Sequence, residues 1–321
     1  MPVIERIADY ADDLVAIRRD IHENPELGME EVRTAALVAG LLNEWGITTH
    51  TGIGKTGGDF NGKAVFIFQP AEEGLGGARA MLADNLFEQF PCDEIYGMHN
   101  KPNGEPGTVG VKPGIAMAGA DFFDITVNAS GAHAAMPHVS IDPIVIATSL
   151  VQQLQSIVSR NVPPNSPLVL SVTQIHAGSA YNVIPSQCTL SGTMRYFDTA
   201  LANTVRQRMR DLCRGAELSY GVQIDIDIRD IFDVLVNDDA LSHTMLDVAA
   251  EIVGADQVQV TPDAVTGSED FADMLRAVPG AYCTVGHEGT VPLHNDGFIL
   301  DEGILPVGAS IYARLIRTMA L

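Results

Sequence analysis

At the start of the chain, apolar residues recur every three to four positions: Ile4, Ile7, Ala11, Leu14, Ile17 and Ile21 share one face. That spacing predicts a helix over 4–22, ended by Asn24-Pro25. A second helix is predicted over 30–45, with Gly46 as its stop. The stretch 52–62 is polar and rich in glycine, and reads as a loop. Ala64-Val65-Phe66-Ile67-Phe68 is a continuous apolar run between Gly62 and Pro70. A strand buried on both faces of a parallel sheet has that pattern. Helical spacing resumes over 76–90, and Ile95-Tyr96-Gly97-Met98 reads as the next strand. Strand, helix and strand in this order predict a right-handed parallel crossover.

The middle of the chain changes period. Phe123, Ile125 and Val127 alternate with polar residues in a strand over 121–129. A helix follows over 143–160, then strands over 168–176 and 188–197, then a helix over 199–220. Val222, Ile224, Ile226 and Ile228 alternate in a half-exposed strand. The order β-α-β-β-α-β is the ferredoxin-like unit. Helix and strand alternate again after 230. Helices are predicted over 238–253 (stopped by Gly254), over 268–277 (with Ser268 as N-cap) and over 303–319. Strands are predicted over 258–260 and 282–285. The fold class is therefore α/β. Residues 1–117 and 231–321 form a mostly parallel-sheet domain, and 118–230 an inserted ferredoxin-like α+β domain.

Composition narrows the function. The chain has 321 residues, 46% of them hydrophobic, with 41 Asp and Glu against 19 Lys and Arg and a net charge of −22. Such a surface repels phosphate backbones and anionic lipid, so neither nucleic acid nor membrane is an expected partner. No apolar run approaches the roughly 18 residues of a spanning helix. The first residues are acidic and amphipathic, unlike a secretory leader, and a cytoplasmic protein is expected. Cys92, Cys188, Cys213 and Cys283 form no C-x-x-C pair; reduced, mostly buried thiols are expected.

The sharpest chemical signal is Gln69-Pro70-Ala71-Glu72-Glu73-Gly74, two adjacent carboxylates after the carboxyl end of a predicted strand. Ligands bind beyond that end in open α/β sheets. Adjacent acids there can divide their roles, one binding a metal and the other handling a proton. A solvated pair suited to the start of a helix is the alternative. His99 ends the next predicted strand, and His294 lies in a loop of the returning half. Glu73, His99 and His294 make an N/O set suited to zinc or a similar divalent ion. In the inserted domain, His133 and His138 share a tight loop, Asn182 lies between the middle strands and Arg195 ends the fourth. Asn and Arg can grip a carboxylate, Arg often bidentately. Each also has a plainer reading as a turn, cap or ion-pair residue.

Several longer stretches carry a resemblance. They are Arg18-Arg19-Asp20-Ile21-His22-Glu23-Asn24-Pro25-Glu26-Leu27-Gly28, 68–74, Gly97-Met98-His99-Asn100, 131–138, and Ala180-Tyr181-Asn182-Val183-Ile184-Pro185. Further on come Ser191-Gly192-Thr193-Met194-Arg195, Gly267-Ser268-Glu269-Asp270-Phe271 and Pro292-Leu293-His294-Asn295. With them the chain resembles the dinuclear-zinc metallopeptidase and aminoacylase family. Its nearest branch there holds hippurate hydrolases, N-acyl-amino-acid amidohydrolases and auxin-conjugate hydrolases. The resemblance implies a zinc-hydrolase-like α/β domain with an inserted lid or dimerisation domain, and a homodimer through that insertion. It implies Glu72 as general base, Glu73, His99 and His294 as metal ligands (the two histidines on different metals), and His133 as the histidine that steadies the oxyanion. Asn182 and Arg195 fall in motifs linked to the substrate carboxylate. The implied reaction is attack of metal-activated water on the amide bond of an N-acyl amino acid or similar conjugate. Zinc is the first choice of ion, with manganese, nickel or cobalt as others.

The chain also departs from that pattern. Family members carry Asp-Met-Asp-Ala-Leu-Pro and Cys-Gly-His-Asp-Gly-His motifs ahead of the Gln-Pro-Ala-Glu-Glu stretch, and this sequence has neither. On the order of 60 residues are absent by comparison, about a third of an ordinary domain. With them go a bridging ligand and a further histidine. Two other readings therefore stand beside the hydrolase: a non-catalytic relative that keeps fold and dimer, and a deletion product with a compromised sheet.

Overall fold

Alternating apolar side chains require a covered face, and two helices supply it in the middle of the chain. The computed structural model describes residues 3–47, 49–50, 53–54, 63–74 and 76–319. These divide into two compact units. One comprises Met1–Ala116, Leu235–Ala264 and Asp270–Leu321, the other Met117–Val234 and Val265–Glu269. No helix among the described residues is long and apolar enough to cross a membrane.

In the second unit the strands Gln223–Phe232, Gly119–Asn128, Gln187–Tyr196 and Leu168–Ala177 lie side by side in that order, all antiparallel. Helices Pro143–Asn161 and Thr199–Tyr220 cover one face. The inward residues Phe123, Ile125, Val127, Leu190 and Met194 pack against Ile146, Leu150, Leu154, Val205 and Met209. Each side chain of that kind, fully buried, contributes about 1.5–3 kcal/mol. The helices start where the sequence supplies a cap. Asp142 accepts from the Ile144 amide with Pro143 in the first turn, and Asp198 accepts from the Ala200 and Leu201 amides. An ion pair lies inside this unit. Asp121 is fully buried and takes two hydrogen bonds of 2.6 Å from Arg206, which also donates to the Tyr196 hydroxyl at 3.0 Å. Those bonds to Asp121 push the Arg206 pKa above its ordinary value although burial lowers it.

In the first unit, Val258–Val260, Val109–Val111, Gly280–Gly286 and Ile95–Lys101 form a four-stranded sheet in that order. It consists of two parallel pairs joined antiparallel between Val109–Val111 and Gly280–Gly286. Helices Asp239–Val253 and Leu305–Met319 pack on it through Met245, Val248, Ala249, Val307, Ile311 and Leu315. The N-terminal helix Ala11–Glu23 is tied to the end of the chain by charge. Arg19 forks onto Glu302 (2.6 and 3.1 Å) and Arg18 reaches the same carboxylate at 3.2 Å. The Arg19 hydrogen bond, above all, holds the Glu302 carboxyl below the usual range. Glu26 accepts from the Arg33 and Thr34 amides and thereby caps the helix Val32–Glu44 from outside it.

Most elements form where the pattern predicts them, with instructive exceptions. The 4–22 helix is broken into Glu5–Ala8 and Ala11–Glu23, and the 76–90 helix into Gly77–Ala83 and Leu86–Gln89, the latter at Asn85 with φ 61°. The 64–68 run forms no strand; Phe66 and Phe68 are 37% and 56% exposed. A continuous apolar run signals a preference for burial but cannot supply a hydrogen-bonding neighbour. Among the described residues no strand bonds the outer edge of Ile95–Lys101, so the predicted crossover is not built. The helix expected from Ser268 starts at Phe271. Val265–Glu269 belongs to the second unit, although the pattern assigned all of 231–321 to the first. The Ala118 amide donates to the carbonyls of Val265 and Gly267, and these bonds draw the stretch away. Apart from Ile53–Gly54, which pairs with Thr49–His50, the Gly-rich stretch 52–62 lies outside the described residues. Cys188, Cys213 and Cys283 are buried, Cys92 is partly so, and all four are free thiols.

Arg206→Ala should lower stability to urea by about 3–5 kcal/mol, because it leaves the buried Asp121 carboxylate unpaired. The double variant Asp121→Asn/Arg206→Met should lose less, since the charge goes with its partner.

Candidate active site

Parallel pairing of Ile95–Lys101 with Gly280–Gly286 sets His99 opposite Thr284 and brings both carboxyl ends to one edge of the sheet. The first strand therefore delivers His99 there, and the second runs directly into the segment holding His287 and His294. The His99 Nδ1 lies 2.6 Å from the Asn100 carbonyl. A carbonyl only accepts, so Nδ1 carries the proton and Nε2 keeps its lone pair. Metal-binding histidines are held in this tautomer. His287, fully buried, was not singled out by sequence. Its Nδ1 accepts from the Gly289 amide and its Nε2 donates to the Asn100 side chain at 3.3 Å.

Glu72 and Glu73 sit on a tight loop after Gln69. Ala71 has φ 51° and Gly74 φ 90°. A Cβ at Gly77 would lie 1.7 Å from the Pro70 carbonyl oxygen, so only glycine lets the backbone close there. The Ala71 amide donates to Glu31 at 3.2 Å. Asp270, fully buried, accepts from the Gln69 side chain and from the Ala78 amide at 3.0 Å. The next helix is pinned as well, by an Arg79 to Asp273 ion pair of 2.8 Å. Gly97 leaves room for the Phe271 and Tyr282 rings, which pack at 5.6 Å just beyond Asp270.

The loop places Glu73 Oε1 3.9 Å from His294 Nδ1, both well exposed. Two ligands on one ion can span that distance when each bond is about 2.0–2.2 Å. A carboxylate and an imidazole are suitable donors for such an ion. His99 does not complete a trio with them. Within the first unit Glu72 and Asp270 each offer a carboxylate oxygen within 4.8 Å of the other, and both Glu269 and Asp270 are buried. The sequence contained those last two acids in Ser268-Glu269-Asp270, but they read as the start of a helix. Their burial is the signal that marks them, and it exists only in the fold.

In the second unit, Ala132–His133 pairs with Val183–Ile184, and the Ala134 amide donates to the Asn182 carbonyl. His133 and Asn182 thus stand on one exposed two-stranded ribbon. His133 Nδ1 accepts from the Ala135 amide at 3.1 Å, which leaves Nε2 of the neutral ring as a donor. Arg195 stands apart from them on Gln187–Tyr196, partly buried, and donates to the Ser268 hydroxyl. Burial lowers its pKa from the ordinary arginine value.

With this geometry in hand, comparison with known proteins matches residues 49–318 to the peptidase family M20/M25/M40. Hippurate hydrolase of Campylobacter jejuni is 31% identical, the match covering 98% of each chain. It runs over 377 positions, more than the 321 residues here, so that relative has positions without a counterpart in this chain. N-acetylcysteine deacetylase of Bacillus subtilis is 34% identical over 94% of this chain and 80% of its own. A dinuclear metal binding peptidase from Bacillus subtilis has the same fold, with a TM-score of 0.80 at 26% identity over 98% of this chain and 99% of its own.

Gly77→Ala should reduce stability by about 1–3 kcal/mol in thermal unfolding, as the new methyl group forces Pro70 away. Gly40→Ala, in an exposed helix with open space around it, should instead add up to ~1 kcal/mol.

Proposed function

We propose that this chain, which belongs to the peptidase family M20/M25/M40, is a metal-dependent amidohydrolase that cleaves the amide bond of N-acyl amino acids or similar conjugates. The observation that carries the reading is the meeting of Glu73 with His294 on the loop that also carries Glu72. Glu73, His294 and His99 are the ligands, the last through Nε2. Zinc is the first candidate, then manganese, nickel or cobalt. Such an ion polarises a carbonyl and lowers the pKa of water. Glu72 takes the proton from the attacking water and delivers it to the leaving amine, the general acid–base role of a carboxylate. His133 donates to the oxyanion, the role that its motif implies. Asn182 and Arg195 hold the substrate carboxylate.

On this reading the protein is a homodimer through its inserted domain and works in the cytoplasm, where four free thiols stay reduced. A second reading, a binding protein without turnover, is favoured by one observation: the sequence contains neither the Asp-Met-Asp-Ala-Leu-Pro nor the Cys-Gly-His-Asp-Gly-His stretch.

The purified protein should hold divalent metal near one equivalent or more by elemental analysis and should hydrolyse members of a panel of N-acyl amino acids. Glu72→Gln should abolish hydrolysis and leave the metal content unchanged, while Glu73→Ala and His294→Ala should lower it. Full activity in the Gln variant removes Glu72 from its role. Absence of both metal and turnover in the parent favours the binding protein.

A further inference from the structure

Two ends of the loop that carries Glu72 and Glu73 converge on a single buried side chain. Gln69 precedes the loop and Ala78 follows it, and both donate to the Asp270 carboxylate, one to each oxygen. Asp270 is fully buried and starts the helix Phe271–Ala277, which packs against Gly77–Ala83. One of its oxygens also lies within 4.8 Å of one from Glu72. Ala71, at φ 51°, holds the loop in a sparsely populated conformation, and such a conformation persists only when its surroundings fix it. Within the loop the Gly74 amide donates to the Glu72 carbonyl and the Gly77 amide to that of Ala71; the two bonds to Asp270 add a hold from outside it. A carboxylate suits this task because it accepts at both oxygens; an amide of the same shape turns one acceptor into a donor facing a donor.

We infer that Asp270 is a positioning residue, a clamp that closes the base of the Pro70–Gly77 loop and fixes Glu72 at the angle its proton transfer requires. It acts through the loop and touches no reacting atom. The Glu31 carboxylate assists by holding the Ala71 amide. The inference rests on the assignment of Glu72 as general base, but the clamp itself is a structural claim with its own readout.

The test uses the full-length protein and three variants, Asp270→Asn, Gln69→Leu and the double variant Gln69→Glu/Asp270→Asn. In the double variant the hydrogen bond is reversed: the new amide donates to the new carboxylate and its oxygen still accepts from Ala78. Two measurements are made on each: steady-state kinetics on the best N-acyl amino acid, and amide hydrogen exchange over 69–78 against the helix Thr199–Tyr220. The clamp predicts a kcat loss on the order of 100-fold in Asp270→Asn, the scale of a misplacement near 1 Å. KM and metal content should stay within about threefold, Gln69→Leu should lose kcat in the same direction, and the double variant should regain at least about tenfold. Exchange over 69–78 should quicken in both single variants and recover in the double, with no change in the distant helix. Parental kcat in Asp270→Asn, or equal loss in single and double variants, overturns the inference. If the parent hydrolyses nothing, the general-base reading fails, and the exchange data alone decide the clamp: unchanged protection over 69–78 in Asp270→Asn refutes it. If Asp270→Asn does not fold, Gln69→Leu carries both measurements.

Discussion

The parallel pairing of Ile95–Lys101 with Gly280–Gly286 joins segments nearly two hundred residues apart and makes one sheet from the two halves of the chain. It fixes the register of His99 against Thr284. It also brings the segment holding His294 to the edge where the Glu72 and Glu73 loop lies, since parallel strands present their carboxyl ends together. Met98 and Val285, on those two strands, share one core with the helices Asp239–Val253 and Leu305–Met319. The pairing and the hydrophobic packing therefore depend on each other. Without it Glu73 and His294 would have no reason to meet.

Charge serves architecture at several places that might have suggested chemistry. The stretch from Arg18 to Gly28, one of the most recognisable in the sequence, is used for holding chain segments together. Arg18 and Arg19 grip Glu302, Asp20 pairs with Arg33 at 2.7 Å, and Glu26 caps a helix that begins six residues later. The buried Asp121 likewise has a full cationic partner and a structural role. Asp270 accepts from an amide side chain and a backbone N–H, which lie at the two ends of the loop that carries the candidate base.

Local periodicity alone determined most of the element list. The β-α-β-β-α-β order of the inserted domain, the caps at Asp142 and Asp198 and the stops at Gly46 and Gly254 all follow from residues within a few positions of one another. So did the choice of Glu72, Glu73, His99, His294, His133, Asn182 and Arg195 as chemically able side chains, because donor type is a property of the residue. The tertiary structure decided everything that needs a partner distant in sequence. It formed no strand at Ala64 to Phe68, although that run reads as a buried strand, because a ladder requires a neighbouring strand that periodicity cannot name. It moved Val265–Glu269 into the second unit through bonds to Ala118. It set Glu73 beside His294 without His99, and it buried Glu269 and Asp270 where the sequence showed only an acidic helix start. Proximity and burial are properties of the assembled fold, which is why the residues around the candidate base became visible only there.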